Sequence, residues 1–157
     1  MKQLWYHKYR PKTLDGFVFV DQHIKEKIEE WVEEKNFPHM MLAGSPGTGK
    51  STLAYILINE CGFEEADYKY IAASVSKGID TIRDEIITFV ERSSFGENGR
   101  VVILDEVDET TPAFMTALRN LIGEMYDSCR FILTANYPHK IIPALKSRLY
   151  TINFSTL

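Results

Sequence analysis

The sequence has 157 residues, 45% of them hydrophobic, and a formal net charge of −4, which fits one domain with a substantial core. The negative charge excludes a global basic field that would draw the chain to nucleic acid or a membrane surface, so any DNA contact must use a local patch or a neighbouring subunit. The chain has no apolar run of ~18 residues and its start lacks a signal-peptide core, so we expect a cytoplasmic protein, or a nuclear one in a eukaryote.

Apolar periodicity predicts helices that alternate with strands. Residues 1–20 are predicted to be irregular. The rest of the first half contains a helix over 22–35, a strand over 39–43, a helix from 52 to about 61, and a strand over 68–72. In the second half they are helices over 79–92, from Thr111-Pro112 onward and over 141–148, with strands over 101–105, 131–135 and 149–154. This order implies one α/β domain with a parallel sheet covered on both faces.

The cysteines and histidines give no sign of a disulfide framework or a metal centre. Cys61 and Cys129 both lie next to apolar segments, which favours buried thiols. The four histidines lack metal-ligand spacing.

The segment from Gly44 to Ser51 reads Gly-Ser-Pro-Gly-Thr-Gly-Lys-Ser and matches the phosphate-binding loop pattern Gly-x4-Gly-Lys-Ser/Thr in full. It follows a predicted strand and precedes a predicted helix, so backbone N–H groups can converge on phosphate oxygens at the positive end of that helix. Lys50 is expected to reach the β- and γ-phosphates, and the Ser51 hydroxyl to ligate Mg2+. The nucleotide-binding residues predicted from the loop are Ser45, Pro46, Gly47, Thr48, Gly49, Lys50, Ser51 and Thr52.

A second motif places two acids at the end of a predicted buried strand. Four hydrophobic residues lead into Asp105 and Glu106, and a carboxylate at the C-terminal tip of such a strand lies beside the phosphate loop in a doubly wound sheet. Asp105 is predicted to hold the Mg2+ shell, partly through water, and Glu106 to orient or deprotonate an attacking water. A small-molecule kinase needs no such glutamate, so the pair favours a hydrolase.

Two other polar residues carry less information by themselves. Asn136 ends the next predicted strand, where an amide could hydrogen-bond the γ-phosphate or the lytic water, but an ordinary polar strand end looks the same. Arg148 follows a short predicted helix, and a lone arginine in that place is usually only solvated.

Together these segments resemble the AAA+ ATPases, and more narrowly the ATPase subunits of sliding-clamp loaders of the replication factor C and T4-like bacteriophage types. The resemblance covers nearly the whole chain. Besides the two motifs, it rests on Lys8-Tyr9-Arg10-Pro11, similar to the clamp-loader opening motif near the adenine, and on residues 77–83, similar to the segment that tracks the DNA backbone. Residues 141–148 are similar to the segment that ends in the family's Ser-Arg-Cys motif.

The resemblance implies a P-loop NTPase fold of the RecA-like AAA+ kind, with a five-stranded parallel sheet between helices. It also implies an ATPase that uses ATP and Mg2+ to open a ring clamp and place it on primer–template DNA, with the clamp, the DNA and other loader subunits as partners and no membrane. The implied catalytic residues are Glu106, Lys50, Asn136 and, acting in trans on the neighbouring subunit's ATP, Arg148. Tyr9, Arg10 and Val20 join the implied nucleotide site, and Arg119 is similar to an arginine that links that site to DNA contacts. The implied DNA contacts are Lys77, Gly78, Ile79 and Arg83, although a solvated helix start explains Lys77 and Arg83 equally well.

The chain departs from the family pattern at two places. Leu149 stands where the family has the cysteine of Ser-Arg-Cys, a residue that a finger does not need chemically. The chain ends at Leu157, so residues 1–157 are expected to form the ATPase domain without the family's helical lid and collar. From this we expect weak nucleotide affinity and poor activity of the isolated domain.

Three other functions remain open from the sequence. A different AAA+ DNA machine, such as a branch-migration motor or a helicase loader, would share the same core. A nucleotide-gated assembly module would bind ATP and barely hydrolyse it, which the presence of Glu106 disfavours. A P-loop kinase would need an acceptor-binding insertion, and we find none in the sequence.

Overall fold

The computed structural model of the protein describes residues 22–75, 78–92 and 99–154. Its helices are α1 (Gln22–Glu34), α2 (Lys50–Glu60), α3 (Ile79–Glu91), α4 (Pro112–Glu124) and α5 (Pro143–Lys146). Its strands are β1 (Met40–Ala43), β2 (Tyr68–Ala72), β3 (Val101–Asp105), β4 (Arg130–Ala135) and β5 (Tyr150–Asn153). The predicted elements are confirmed within a few residues at each end, while the irregular segment predicted over residues 1–20 lies outside the described residues.

The predicted helix over residues 141–148 is shorter in the structure. It is reduced to the four residues of α5, and a 3-10 turn, Pro138–Lys140, precedes it. Ile142 has extended backbone angles (φ −63°, ψ 143°) because the ring of the following proline disfavours a helical residue before it. Pro143 itself stands at the first helical position, where its missing N–H costs no hydrogen bond.

The five described strands form one parallel sheet in the order β2-β3-β4-β1-β5. β1 therefore lies between β4 and β5, and its successor β2 lies at the far edge. Because all strands are parallel, their carboxyl ends share one edge of the sheet, where ligands bind in open α/β folds. The predicted five-stranded parallel sheet between helices is confirmed.

Each face of the sheet carries its own hydrophobic cluster. On one face, α3 and α4 pack through residues such as Ile82, Ile86 and Leu118 onto Val102 and Leu104. Opposite them, α1 and α2 cover the other face, where helix residues pack with Val101 and Ile103 of β3 and Ile132 of β4. The helix residues of this cluster include Ile28, Trp31, Leu53 and Leu57. Alternate residues of each strand thus serve opposite layers, as a sheet buried on both faces requires. Among the described residues, no helix combines the length and the apolar character needed to cross a bilayer.

The helix ends follow their local sequence. The Thr111 hydroxyl accepts a hydrogen bond from the Phe114 N–H at 3.1 Å, which confirms the predicted cap of α4. After α2, the N–H groups of Gly62 and Phe63 donate to the carbonyls of Asn59 and Ile58, a Schellman arrangement that ends the helix before β2. The thiols of Cys61 and Cys129 are free and buried, as predicted, and burial raises their pKa values to about 11 and about 12.

A buried histidine joins the start of β1 to β4 at the edge of the sheet opposite the strand carboxyl ends. His39 Nδ1 accepts from the Phe131 N–H at 3.1 Å, and His39 Nε2 lies 3.2 Å from the Tyr126 carbonyl, so these partners assign the neutral tautomer protonated at Nε2. Burial, followed by the nearby Arg130 charge, lowers the pKa of His39 below its usual 6.5.

Acidification should therefore destabilise the fold through His39. The unfolded chain protonates this imidazole near pH 6.5 and the folded chain only at lower pH, so the unfolded state binds more protons as the pH falls below 6.5. Above that pH, we expect the protonation of His39 to leave the free energy of unfolding unchanged. At lower pH, its protonation should reduce the free energy of unfolding by at most about 1.4 kcal/mol per pH unit. Urea unfolding between about pH 7.5 and pH 5 should show a shallower decline in His39→Asn, whose amide oxygen can accept the same N–H. Equal slopes in both proteins would contradict the assignment.

Candidate nucleotide site

The predicted site residues meet at the carboxyl edge of three neighbouring strands. In the register of the sheet Ala43 of β1 lies beside Ala135 of β4, and the Gly44 N–H donates to the Ala135 carbonyl at 3.0 Å. The phosphate loop thus starts level with Asn136, and β4 separates it from the end of β3, which carries Asp105. The sheet order brings together side chains that lie about 30 to 90 positions apart in the chain.

The phosphate loop has the backbone conformation that its glycines permit. Gly47 and Gly49 have φ values of 81° and 96°, in the left-handed region that side chains with a β-carbon rarely adopt. Gly49 is the residue before α2, so the N–H groups of the first turn of the helix face the loop. The Thr48 hydroxyl donates to the Ser45 carbonyl at 2.7 Å and closes the turn. The loop is therefore preformed, with Ser45, Pro46 and Gly47 exposed.

Lys50 begins α2 and lies under the loop, with 8% of its surface exposed. Its ammonium donates to the carbonyls of Gly44 at 2.6 Å and Ser45 at 2.9 Å. Burial lowers the pKa of Lys50, whereas the nearby carboxylates of Asp105 and Asp108 oppose that shift. A cation shielded from water in this way interacts strongly with a phosphate brought to the loop. Ser51 and Thr52 follow in the same turn and are partly exposed.

The carboxylate of Asp105 lies between hydroxyl groups from both neighbouring strands. On one side, the Thr134 hydroxyl of β4 donates to Oδ1. On the other, the Tyr70 hydroxyl of β2 donates to Oδ2 at 2.5 Å. Burial and this hydrogen bond raise the pKa of Tyr70, so its hydroxyl remains a donor at neutral pH.

Glu106 turns sharply away from the strand. Its backbone is left-handed (φ 56°, ψ 46°), a conformation that costs a residue with a β-carbon on the order of 1–2 kcal/mol. The Glu106 N–H donates to the Thr134 hydroxyl oxygen at 3.1 Å, and the Ser74 hydroxyl donates to Glu106 Oε2 at 3.0 Å. These contacts hold an exposed carboxylate at the rim of the site, beside the buried strand end.

A third acid, Asp108, connects the two polar strand ends and is buried. Asp108 is 3% exposed, and its Oδ2 accepts from the Tyr137 N–H at 2.9 Å. Its other oxygen has no hydrogen-bond partner among the described residues. Since Tyr137 directly follows Asn136, this bond ties the turn that carries Glu106 to the segment that carries Asn136.

The remaining predicted residues lie elsewhere or outside the described part of the chain. Arg148 lies two residues before β5, whose first residue pairs with Met40 at the start of β1, at the sheet edge opposite the phosphate loop. Arg83 is on α3, and its Nη2 is 2.9 Å from Glu124 Oε2 in a half-exposed ion pair. Gly78 and Ile79 mark the start of the same helix. Tyr9, Arg10, Val20 and Lys77 lie outside the described residues.

Sequence reasoning missed three residues that hold the acids of the site, Tyr70, Ser74 and Thr134. It also missed the role of Asp108, which accepts from the Tyr137 N–H and so holds the segment that follows β4. Thr134 had a usable signal, because it lies two positions before Asn136 and so shares its face of β4. The other three had none, since their roles depend on contacts made by strands and turns distant in sequence.

Comparisons with known proteins identify the family of this chain and several relatives. The family model described as ATPase family associated with various cellular activities (AAA) matches residues 40–157. A replication factor C small subunit of Staphylothermus marinus is 42% identical over 159 residues, which cover 98% of this chain and 47% of that protein. One from Methanococcus vannielii is 37% identical over 160 residues, with 100% and 50% covered. The chain spans about half the length of the curated relatives it matches.

Solved structures share the fold at lower identity. The Thermotoga maritima RuvB Holliday junction branch migration motor has a TM-score of 0.67 at 23% identity, over 93% of this chain and 48% of that one. A DNA polymerase III gamma subunit-related protein from Thermotoga maritima has a TM-score of 0.65 at 19% identity, over 82% and 44%. These likenesses confirm the predicted AAA+ P-loop fold, and the relatives confirm the predicted resemblance to replication factor C subunits. The chain belongs to the AAA family of ATPases.

Proposed function

We propose that the protein is the ATP-binding and ATP-hydrolysing part of a sliding-clamp loader subunit, which couples ATP to clamp opening and to clamp placement on primer–template DNA. The observation that carries the proposal is full-chain similarity to replication factor C small subunits, with a phosphate loop, an acid pair and a polar strand end gathered at one sheet edge. A cytoplasmic location, or a nuclear one in a eukaryote, stays a prediction.

The donor atoms at this edge fit Mg2+ bound with a nucleotide. Mg2+ prefers hard oxygen ligands and is commonly held by one or two carboxylates together with substrate phosphates. Asp105 and the Ser51 hydroxyl supply such oxygens, and Asp108 places a further buried carboxyl group near Lys50. When bound, Mg2+ would neutralise charge on the β- and γ-phosphate oxygens.

Different residues of the protein would then perform different steps of hydrolysis. Lys50 would leave the carbonyls of Gly44 and Ser45 to bind phosphate oxygens, and the loop N–H groups would orient them. Glu106, held at the rim by Ser74, would position a water and accept its proton. Asn136 would hydrogen-bond the γ-phosphate or that water from the end of β4.

Arg148 is proposed to act only on a neighbouring subunit. The four residues of β1 span about 13 Å, and Arg148 lies beyond the start of that strand while the phosphate loop follows its end. Its exposed guanidinium runs along α4, with Nη1 3.6 Å from where a β-carbon on Gly123 would stand. An exposed arginine in this position is accessible to a neighbouring subunit and suits an ATP site completed between subunits.

DNA contact is proposed for the start of α3. Gly78 and Ile79 begin that helix, and Arg83 lies one turn further on. Because Arg83 is paired with Glu124, a DNA phosphate would have to replace that carboxylate. With a net charge of −4, binding must come from such local groups and from neighbouring subunits.

ATP turnover by the assembled complex tests the proposed function. We expect strong stimulation when the cognate clamp and primer–template DNA are both present, and little turnover by the isolated chain. Turnover that is indifferent to clamp and DNA would keep the phosphate chemistry but assign the protein to another AAA+ machine, such as a branch-migration motor or helicase loader. Tight ATP binding without measurable hydrolysis in the full assembly would instead indicate a nucleotide-gated assembly module.

A further inference from the structure

The hydroxyl of Tyr70 occupies a place that core packing does not explain. Tyr70 is on the edge strand β2 and remains 47% exposed, yet its hydroxyl reaches Asp105 Oδ2 at 2.5 Å. By contrast, Tyr68 packs against the hydrophobic cluster on the α2 face and meets Tyr55 edge to face, with ring centroids 5.8 Å apart. The two tyrosines share a strand and a face, but only the Tyr70 hydroxyl contacts an acid of the site.

The strand register accounts for this reach. Ala72 of β2 lies beside Asp105 of β3, and Tyr70 lies beside Ile103, two residues or about 6.6 Å earlier along the strands. Residues two apart point to the same side of a sheet, so Tyr70, Ala72 and Asp105 all face the layer of α2, the helix that starts at the phosphate loop. Ala72 has only a methyl group, which leaves the path along the edge strand open to the tyrosine ring.

Two hydroxyl donors on two different oxygens restrict how the Asp105 carboxylate can turn. Thr134 holds Oδ1 from β4, and Tyr70 holds Oδ2 from β2. An ionised carboxylate offers about four lone-pair sites, so each oxygen keeps capacity for another partner. Hydrogen-bond partners behind a metal ligand fix its orientation, and their loss typically lowers metal affinity about 10- to 100-fold.

We propose that Tyr70 is a positioning residue that orients the Asp105 carboxylate toward the magnesium of a bound Mg2+–nucleotide. The inference rests on the proposed function, because it takes Asp105 as the residue that holds the Mg2+ shell. Thr134 would fix the first oxygen together with the Glu106 backbone, and Tyr70 would fix the second oxygen independently of Glu106.

Metal binding measured apart from turnover tests this role. Mn2+ would replace Mg2+, and electron paramagnetic resonance would report free Mn2+ during titration of the full chain in the presence of ADP. We expect Tyr70→Phe to weaken nucleotide-dependent Mn2+ binding about 10- to 100-fold. ADP affinity in EDTA and the thermal unfolding midpoint should not change, because the variant loses one hydroxyl from a half-exposed ring. The matched control Tyr68→Phe, which loses the same group from the same strand, should bind Mn2+ like the wild type.

Each other outcome overturns a defined step. If the wild type binds Mn2+ with ADP and Tyr70→Phe binds it equally well, the positioning role is wrong while the proposed site stands. Tighter Mn2+ binding by Tyr70→Phe would mean that the hydroxyl competes with the metal, which also overturns the inference. A wild type that binds ADP in EDTA but shows no nucleotide-dependent Mn2+ binding would overturn the proposed metal site itself.

Discussion

Arg148→Ala should lower ATP turnover of the assembled complex about 10^3- to 10^5-fold and leave ATP binding unchanged, as loss of an arginine finger does. The reason is the position of Arg148 at the sheet edge opposite its own phosphate loop. From there it can stabilise transition-state charge only in a neighbour's site. Its side chain is exposed, so the substitution should not disturb folding. Lys146→Ala, which removes a positive charge from the end of α5, is the matched control and should keep most of the turnover.

Mixed assemblies can decide whether the arginine acts in trans. A subunit with Arg148→Ala keeps its phosphate loop, and a subunit with Lys50→Ala keeps its arginine. Where these two meet in the correct order, an intact site forms between them, so an assembly of both variants should recover part of the turnover that each alone has lost. If the mixture stays as inactive as the separate variants, Arg148 does not serve a neighbour's site.

Glu106→Gln should lower ATP hydrolysis by the complex about 10^2- to 10^4-fold and trap an ATP-bound assembly, because the amide cannot accept the proton of the attacking water. Glutamine has nearly the same shape, and its carbonyl oxygen can still accept the hydrogen bond from Ser74, so the turn at Glu106 should persist. Single-turnover hydrolysis and nucleotide retention on the isolated complex would measure the two effects separately.

Glu109→Gln is the control for Glu106→Gln. Glu109 is an exposed acid in the same short turn, and its neutralisation changes the net charge equally. This variant should hydrolyse ATP at nearly the wild-type rate. Rapid turnover by Glu106→Gln would refute the role of Glu106, whereas an equal loss in both variants would indicate that the charge of the turn, rather than the position of one carboxylate, is what matters.

The sequence by itself determined the elements of the domain and the phosphate loop. Helix and strand periodicity are local, so the bounds of α3 and β3 follow from runs of neighbouring residues. The loop from Gly44 to Ser51 is eight consecutive residues, and its function depends mainly on its own backbone and the helix that follows. The same locality made Asp105 and Glu106 recognisable, since they directly follow a buried strand.

Only the tertiary structure decided what holds those acids and where the basic residues lie. Tyr70 and Thr134 are 35 and 29 positions from Asp105, and they reach it because β2 and β4 flank β3 in a particular register. Strand order and register depend on packing across the whole sheet, which periodicity within one segment does not specify. The same holds for Arg148, because the sequence pattern of residues 141–148 does not specify how far the arginine lies from the phosphate loop. Parallel pairing of β5 with β1 is what sets it a strand's length away from its own phosphate loop.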